Sequence, residues 1–327
     1  MALIPGKVVL FGGGTGSFTL LQSLKEHTTE LTAIINMCDD GGSTGILRDE
    51  LGVLPPGDVR QCLVALSDNP EVRNLFNYRF GEGRLSGQSL GNIILSGLEL
   101  QYGSFAKAIE VAGRLLHITG AVVPATLDNH QLVLHDGDAT VRGETAVAEY
   151  AFCNRDAVVA LLPRARINPA AQSAIADASI VIIAPGNIYR SILPVLAVDG
   201  VAASLSKTKA KVVYVANLVN RPEHTKGWHV VDYVAQIERY IGKGRVDIVL
   251  YNTAPIARAL LDKYADEGEL PVLTDGDRFQ EIQATAIGDN LVARGITKQD
   301  PADTLLRRTL IRHDASRVCE LIARSCQ

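Results

Sequence analysis

Two adjacent aspartates followed by small residues, Asp39-Asp40-Gly41-Gly42-Ser43-Thr44-Gly45, carry the densest chemistry in this chain. Carboxylates are hard oxygen donors, and one or two of them beside phosphate oxygens suffice to hold a hydrated Mg²⁺. Asp39 and Asp40 are therefore the candidate metal ligands, and Ser43 and Thr44 would offer hydroxyls to the same anion. A simpler reading stands beside this one. Aspartate serves turns well, so the two could do no more than stabilise their own loop and the neighbouring helix ends.

A second segment of this kind is Gly12-Gly13-Gly14-Thr15-Gly16-Ser17. An apolar, β-branched run (residues 7–11) precedes it and a helix-compatible stretch (residues 18–27) follows. Strand, glycine turn and helix together bring unpaired N–H groups and a partial positive charge up to an anion. Gly12 and Gly14 fit the first two glycines of the dinucleotide fingerprint, whereas Ser17 stands where the third would be. Asp39 lies 25 positions beyond Gly14, near the acid that such folds place on a ribose.

Two further loops follow apolar runs. Gly186, Asn187, Arg190 and Ser191 come directly after residues 179–184, at a helix entry. Their N–H groups, hydroxyl and guanidinium suit a pyrophosphate, whereas a plain cap would need Asn187 alone. Asn217 opens a polar loop over residues 217–228 that contains Trp228, the only tryptophan. The string Gly87-Gln88-Ser89-Leu90-Gly91 fits G-x-S-x-G, but no buried strand precedes it as a nucleophile elbow requires. Ser89 and Asn92 are read instead at a helix N-terminus facing the ligand. Ser204 to Lys207 fits S-x-x-K without its partner motifs, and no P-loop is present.

The elements that must position these loops are legible in outline. Strands are expected at residues 31–37, 179–184, 211–216 and 246–251, with a short one at 271–274. Helices are expected at 169–177, 188–198 and 230–241, and a mainly helical tail at 300–325. Continuous apolar strands alternating with helices imply a mostly parallel sheet covered on both faces. Between them, residues 58–67, 71–78, 89–102 and 105–117 repeat apolar side chains at helical spacing. Residues 121–142 form a β-rich patch whose Asp136-Gly137 step signals a hairpin. The fold class is thus α/β, Rossmann-like and doubly wound, with an inserted helical subdomain and a β-hairpin patch. Residues 1–56 and 119–327 make the nucleotide-binding domain, and 57–118 the helical subdomain. In such a sheet, ligands bind beyond the carboxyl ends of the strands, where all four loops lie.

Composition narrows the class. The chain has 327 residues, 47% hydrophobic and 21% charged, with a net charge of −4. No block of like charges offers a surface to nucleic acid. No apolar stretch reaches the ~18 residues of a membrane span, and no basic n-region marks a signal peptide. Five scattered cysteines without C-x-x-C suggest reduced thiols in a cytoplasmic protein. The seven histidines lack H-E-x-x-H spacing, which argues against a zinc site.

Taken together, Phe11 to Gly16, Asp39 to Arg48, Leu54 to Leu66, Phe76 to Phe80 and Gly87 to Asn92 resemble the signature of the CofD/YvcK superfamily. Order and spacing hold from residue 7 to residue 314. The resemblance implies one of two activities. In the YvcK-type branch, the gluconeogenesis factors bind UDP-sugars and influence carbon metabolism and cell-wall morphogenesis without an established reaction. In the other branch, 2-phospho-L-lactate transferases act on a nucleotide-diphosphate donor with Mg²⁺. The strings Gly41 to Gly45 and Pro55 to Arg60 are those of the YvcK-type branch, so a UDP-sugar-binding regulator is expected, and the Mg²⁺-dependent transferase is the alternative. The sequence departs from the family at Gln88, where histidine is usual, and within residues 184–192 and 221–225. Ile311-Arg312-His313-Asp314 matches the family's L-R-H-D, which implies Arg312 as a ligand-facing cation. A homo-oligomer is compatible with this reading. An NAD(H) oxidoreductase is a weaker third, because no histidine or lysine is placed for a proton relay.

Overall fold

The computed structural model describes residues 3–152, 154–266, 268–293 and 311–326. In chain order the strands are β1 (Val8–Gly12), β2 (Leu31–Ile35), β3 (Ala121–Pro124), β4 (Gln131–Asp136) and β5 (Ala139–Arg142). They continue with β6 (Val158–Leu162), β7 (Ile180–Ile183), β8 (Lys211–Val215), β9 (Ile248–Asn252) and β10 (Thr285–Asp289). Seven of them form a sheet in the order β10-β9-β8-β7-β1-β2-β3, with every neighbouring pair parallel. A smaller antiparallel sheet has the order β5-β4-β6.

The strand sequences explain why both faces are covered. Successive side chains in a strand point to opposite faces. Val9, Phe11, Val181, Ile183, Val212 and Tyr214 enter one apolar core, and Val8, Leu10, Ile180, Ile182 and Val213 enter the other. A strand that is apolar at every position needs a helical layer on each side. Residues 57–118 supply part of one layer, through Gly57–Leu66, Pro70–Asn77, Leu90–Tyr102 and Phe105–Leu116. Their Val59, Leu63, Phe76, Leu95 and Phe105 pack into the same core as Val8 and Leu10.

The strand order sets the location of the site. From β1 the sheet grows through β2 to β3, then the chain returns to the opposite side of β1 and adds β7 to β10 in turn. This reversal leaves a crevice between the connections that leave β1 and β7, the place where open α/β sheets bind ligands.

Several elements differ from the sequence-based expectation. Ala121–Pro124, expected beside the hairpin, pairs with β2 as an edge of the large sheet. The hairpin itself joins β4 to β5, with Asp136 opposite Ala139 and Gly137 at φ +57°. Residues 271–274 make only isolated bridges, to Val219 and His229, and the sheet is completed by β10. That strand escapes notice because Gly288 interrupts it: a Cβ there would lie 2.7 Å from the Tyr251 ring. The expected helix at 188–198 opens as a π-helical turn, Ile188–Ile192, before Leu193–Leu196. Of the helical tail, Ala315–Ser325 is helical, while residues 300–310 and Cys153 lie outside the described residues. Among the described residues, no helix is long and apolar enough to cross a membrane.

Candidate functional site

The glycine loop is shaped by its neighbours as much as by its own sequence. Gly14 opens the helix Gly14–Leu24 at φ +69°, a conformation that costs glycine little. Its N–H donates to Asp58 Oδ1 at 3.0 Å. Gly16 allows the close approach that Ser17 cannot. A Cβ on Gly16 would lie 2.0 Å from the Pro185 carbonyl oxygen, so this glycine seats the β1 loop against the β7 loop. Ser17 turns inward and donates to the Gly13 carbonyl.

The β7 loop is fixed by a chain of polar contacts. His224 Nε2 donates to the Val147 carbonyl at 2.9 Å, which leaves Nδ1 to accept from the Asn187 amide at 3.1 Å. Asn187 Oδ1 is then free to accept the N–H groups of Tyr189 and Arg190. Burial holds the His224 imidazole below its ordinary pKa, consistent with this neutral tautomer. Asn217 clasps Gly186 on both sides, accepting from its N–H and donating to its carbonyl at 2.8 Å. Single-turn π-helices such as Ile188–Ile192 recur at functional sites. Here the turn presents Arg190 and Ser191, both partly exposed. Asn36 ties the two loops together. Its amide donates to the Arg190 carbonyl at 3.0 Å, and its Cβ lies 3.2 Å from where a Gly13 Cβ would be.

The carboxylates meet in the same crevice. Asp39 Oδ1 accepts from Gly41 N–H, and its Oδ2 stands over Gly57, 2.3 Å from where a Cβ would be. Asp58 begins the next helix, and Glu144 reaches in from the short helix Glu144–Glu149 beyond β5. Arg190 pairs with Glu144, its Nε donating to Oε1 at 2.5 Å. Burial raises the Asp39 pKa, and the charge of Asp40 adds to it. Asp58 is pushed up to about 8, first by burial and then by Asp39 and Glu144. Glu144 is pushed up to about 7, again by burial first, with Arg190 opposing.

Asp40 serves a different purpose from its neighbour. Its carboxylate accepts from the N–H groups of Glu144 and Thr145, at 2.7 and 2.9 Å, and from the Thr145 hydroxyl. It caps a helix, and among the described residues no group of three or more His, Cys, Asp or Glu could hold a metal ion. Asp40→Ala should therefore lower stability by about 1.5–3 kcal/mol, the scale of hydrogen bonds to a charged group. Chemical denaturation checks this, and an unaltered midpoint would refute the capping role.

The remaining candidates fall into two groups. Gly14, Thr15, Gly16, Asp39, Gly186, Asn187, Arg190 and Ser191 line the open crevice, each partly exposed. Gly12, Gly13, Ser43, Thr44, Ser89 and Asn92 are buried behind it. Ser43 donates to Gln88 Oε1 at 2.7 Å and accepts from Ser89 N–H and the Asn92 amide. Asn92 Oδ1 accepts from Arg60 Nε, and Ser89 donates to the Phe76 carbonyl rather than capping its helix. Gln88, which replaces the usual histidine, is thus a partner of Ser43 inside this network. Arg312 lies farther along the sheet, where its carbonyl accepts from Ala293 N–H. The adjacent His313 donates to the Ala216 carbonyl at the end of β8.

Sequence reasoning did not single out Asp58, Glu144 or Asn36. Asp58 looks like an ordinary acid in the first turn of a helix, and Glu144 follows Gly143 at the close of a hairpin. Neither position has a local signal that points to a crevice formed by remote loops.

Comparison with known proteins agrees with the fold. A crystal structure of a Bacillus halodurans protein superimposes with a TM-score of 0.88 at 35% identity, covering 97% of this chain and 99% of that one. The gluconeogenesis factor of Bacillus subtilis is 36% identical over 323 residues, 97% of this chain and 96% of its own length. That of Halalkalibacterium halodurans is 36% identical over 322 residues, 96% of this chain and 95% of its own. The family model described as 2-phospho-L-lactate transferase CofD matches residues 8–292, a span that runs from β1 through β10 and holds the whole crevice. The chain belongs to the CofD family.

Proposed function

We propose that this chain binds a nucleotide diphosphate of the UDP-sugar class and acts as a regulator tied to carbon metabolism and cell-wall morphogenesis. The observation that carries the reading is the seam between β1 and β7. There the first-turn N–H groups of Thr15 and Gly16 adjoin a loop bearing Arg190 and Ser191. Helix N-terminal N–H groups and a guanidinium are complementary to a diphosphate. The name gluconeogenesis factor, carried by relatives that align along nearly their whole length, supports the metabolic role. Free, buried Cys38, Cys62 and Cys319 suit a cytoplasmic setting.

A Mg²⁺ ion would be held by Asp39 together with oxygens of the ligand's own phosphates, since Asp40 is occupied by its helix cap. Its contribution would be to neutralise charge between phosphate and carboxylate.

One observation favours a second reading, a transferase. Asp58, pushed up to about 8, can hold a proton at neutral pH and exchange it with an acceptor hydroxyl.

Calorimetric titration separates the two. UDP-N-acetylglucosamine or a close UDP-sugar is expected to bind with a micromolar dissociation constant, about −8 kcal/mol. At 100 times that concentration the fold should gain about 2.7 kcal/mol in stability. No heat with any UDP-sugar, together with tight binding of GDP, would transfer the assignment to the transferase.

A further inference from the structure

Glu144 is one of the crevice residues that the motifs leave unassigned, and it is held in place from several sides. Its own N–H is fixed by Asp40 Oδ2 at 2.7 Å. Thr145 is fixed by Asp40 Oδ1, and the Val147 carbonyl by His224. The short helix is therefore bonded to the loops that follow β2 and β8, and its acid is presented to the loop that follows β7. Both Nε and Nη2 of Arg190 are directed at Glu144 Oε1. The Glu144 side chain is 12% exposed and that of Arg190 34%, so the guanidinium can be approached from outside and the carboxylate scarcely can.

We propose that Glu144 is a specificity-determining residue: it occupies Arg190 in the ligand-free site, so that only a ligand with two linked anionic groups displaces it. The proposal rests on the nucleotide-diphosphate reading above and adds to it a reason for selectivity. A single phosphate that takes Arg190 forms one ion pair and breaks another. It also leaves Glu144 unpaired beside Asp39 and Asp58, where it must either carry an uncompensated buried charge or take up a proton, and at neutral to alkaline pH both cost free energy. The exchange therefore returns much less than the Arg190 contact alone would supply. A diphosphate can engage Arg190 with one phosphoryl group and the helix N-terminus with the other. The first-turn N–H groups of Thr15 and Gly16 have no partner within their helix. Thr15 and Ser191, both partly exposed, add hydroxyls beside those N–H groups and Arg190. These contacts are supplementary to the Arg190 pair, and they offset the displacement of Glu144.

The test compares inorganic phosphate with pyrophosphate, titrated by thermal shift in metal-free buffer against the full chain and its Glu144→Gln variant. Glutamine keeps the backbone N–H that Asp40 caps and removes the charge that competes for Arg190. The variant is expected to bind phosphate at least tenfold more tightly than the wild type. Its gain for pyrophosphate should be clearly smaller, so that the preference for pyrophosphate narrows at least fivefold. Glu144→Ala should narrow it in the same direction, and serves if the glutamine variant folds poorly. An unchanged preference overturns the proposal, whether both affinities rise together, as for a general charge effect, or neither moves. If the wild type binds a UDP-sugar but the preference is unchanged, only the role of Glu144 falls. If no form binds either probe or any UDP-sugar, the nucleotide-diphosphate reading falls first, and the proposal with it.

Discussion

Arg190→Ala should raise the dissociation constant for a nucleotide diphosphate roughly ten- to hundredfold. The guanidinium stands in the first turn after β7, with its backbone N–H held by Asn187 and its carbonyl held by Asn36. Its position is therefore set before any ligand arrives. A charge-assisted contact of this kind contributes about 1.5–3 kcal/mol, which is the stated range in affinity. Arg190→Lys should restore only part of it, because an ammonium cannot make the planar two-toothed contact. Loss of the arginine leaves Glu144 without its cation, but an acid already pushed up to about 7 can take a proton instead of unfolding the site. Melting temperatures at pH 6 should accordingly be close to wild type. Unaltered affinity of Arg190→Ala at both low and moderate salt would show that the side chain does not touch the ligand.

Asp58→Asn should stabilise the ligand-free protein at alkaline pH and flatten its pH dependence. Asp58 is pushed up to about 8 in the folded state, against an ordinary value of about 3.9 in an unfolded chain. Between those two values the folded form binds a proton that the unfolded form does not, so stability rises as pH falls. The favourable contribution is complete at the acidic end and is lost as pH rises through about 8. Glu144 acts with the same sign through about 7. Asparagine keeps an oxygen for the Gly14 N–H and cannot ionise. The expected gain at pH 9 is about 2 kcal/mol, less than the full shift implies because the carboxylate is only partly buried. At pH 5 the gain should be a minor fraction of this, vanishing only below about 3.9, where both states are protonated. Denaturation in the presence of a chelator at both pH values provides the measurement, and a gain equal at pH 5 and pH 9 would falsify the assignment. The same variant should bind ligand no better than wild type, since groups that destabilise a fold are commonly retained for function.

Features set by neighbours in sequence could be read directly from the residues. The bounds of Pro169–Asp177 and Val230–Ile241 agree with expectation, because apolar spacing and capping residues act over a few positions. Asp136-Gly137 marks its hairpin for the same reason. Parallel strands announced themselves where both faces are apolar, as in Ile180–Ile183. They did not where close packing against Thr253 and the Tyr251 ring required Gly288. β6 was equally hidden, since its five residues are apolar without the alternation that a half-exposed strand usually shows.

The sequence by itself determined which loops follow strands, and hence that glycines, carboxylates and Arg190 would gather at one end of a parallel sheet. It also carried the family resemblance. Only the tertiary structure decided what each of those groups does there. Asp39 and Asp40 are adjacent in the chain, yet one faces the crevice over Gly57 and the other caps a helix 104 residues away. Gly14 meets Asp58 across 44 residues, Arg190 meets Glu144 across 46, and Asn36 meets Arg190 across 154. Burial and the distance between charges set the state of a carboxylate. Both are properties of the folded neighbourhood, and no local pattern of residues encodes them.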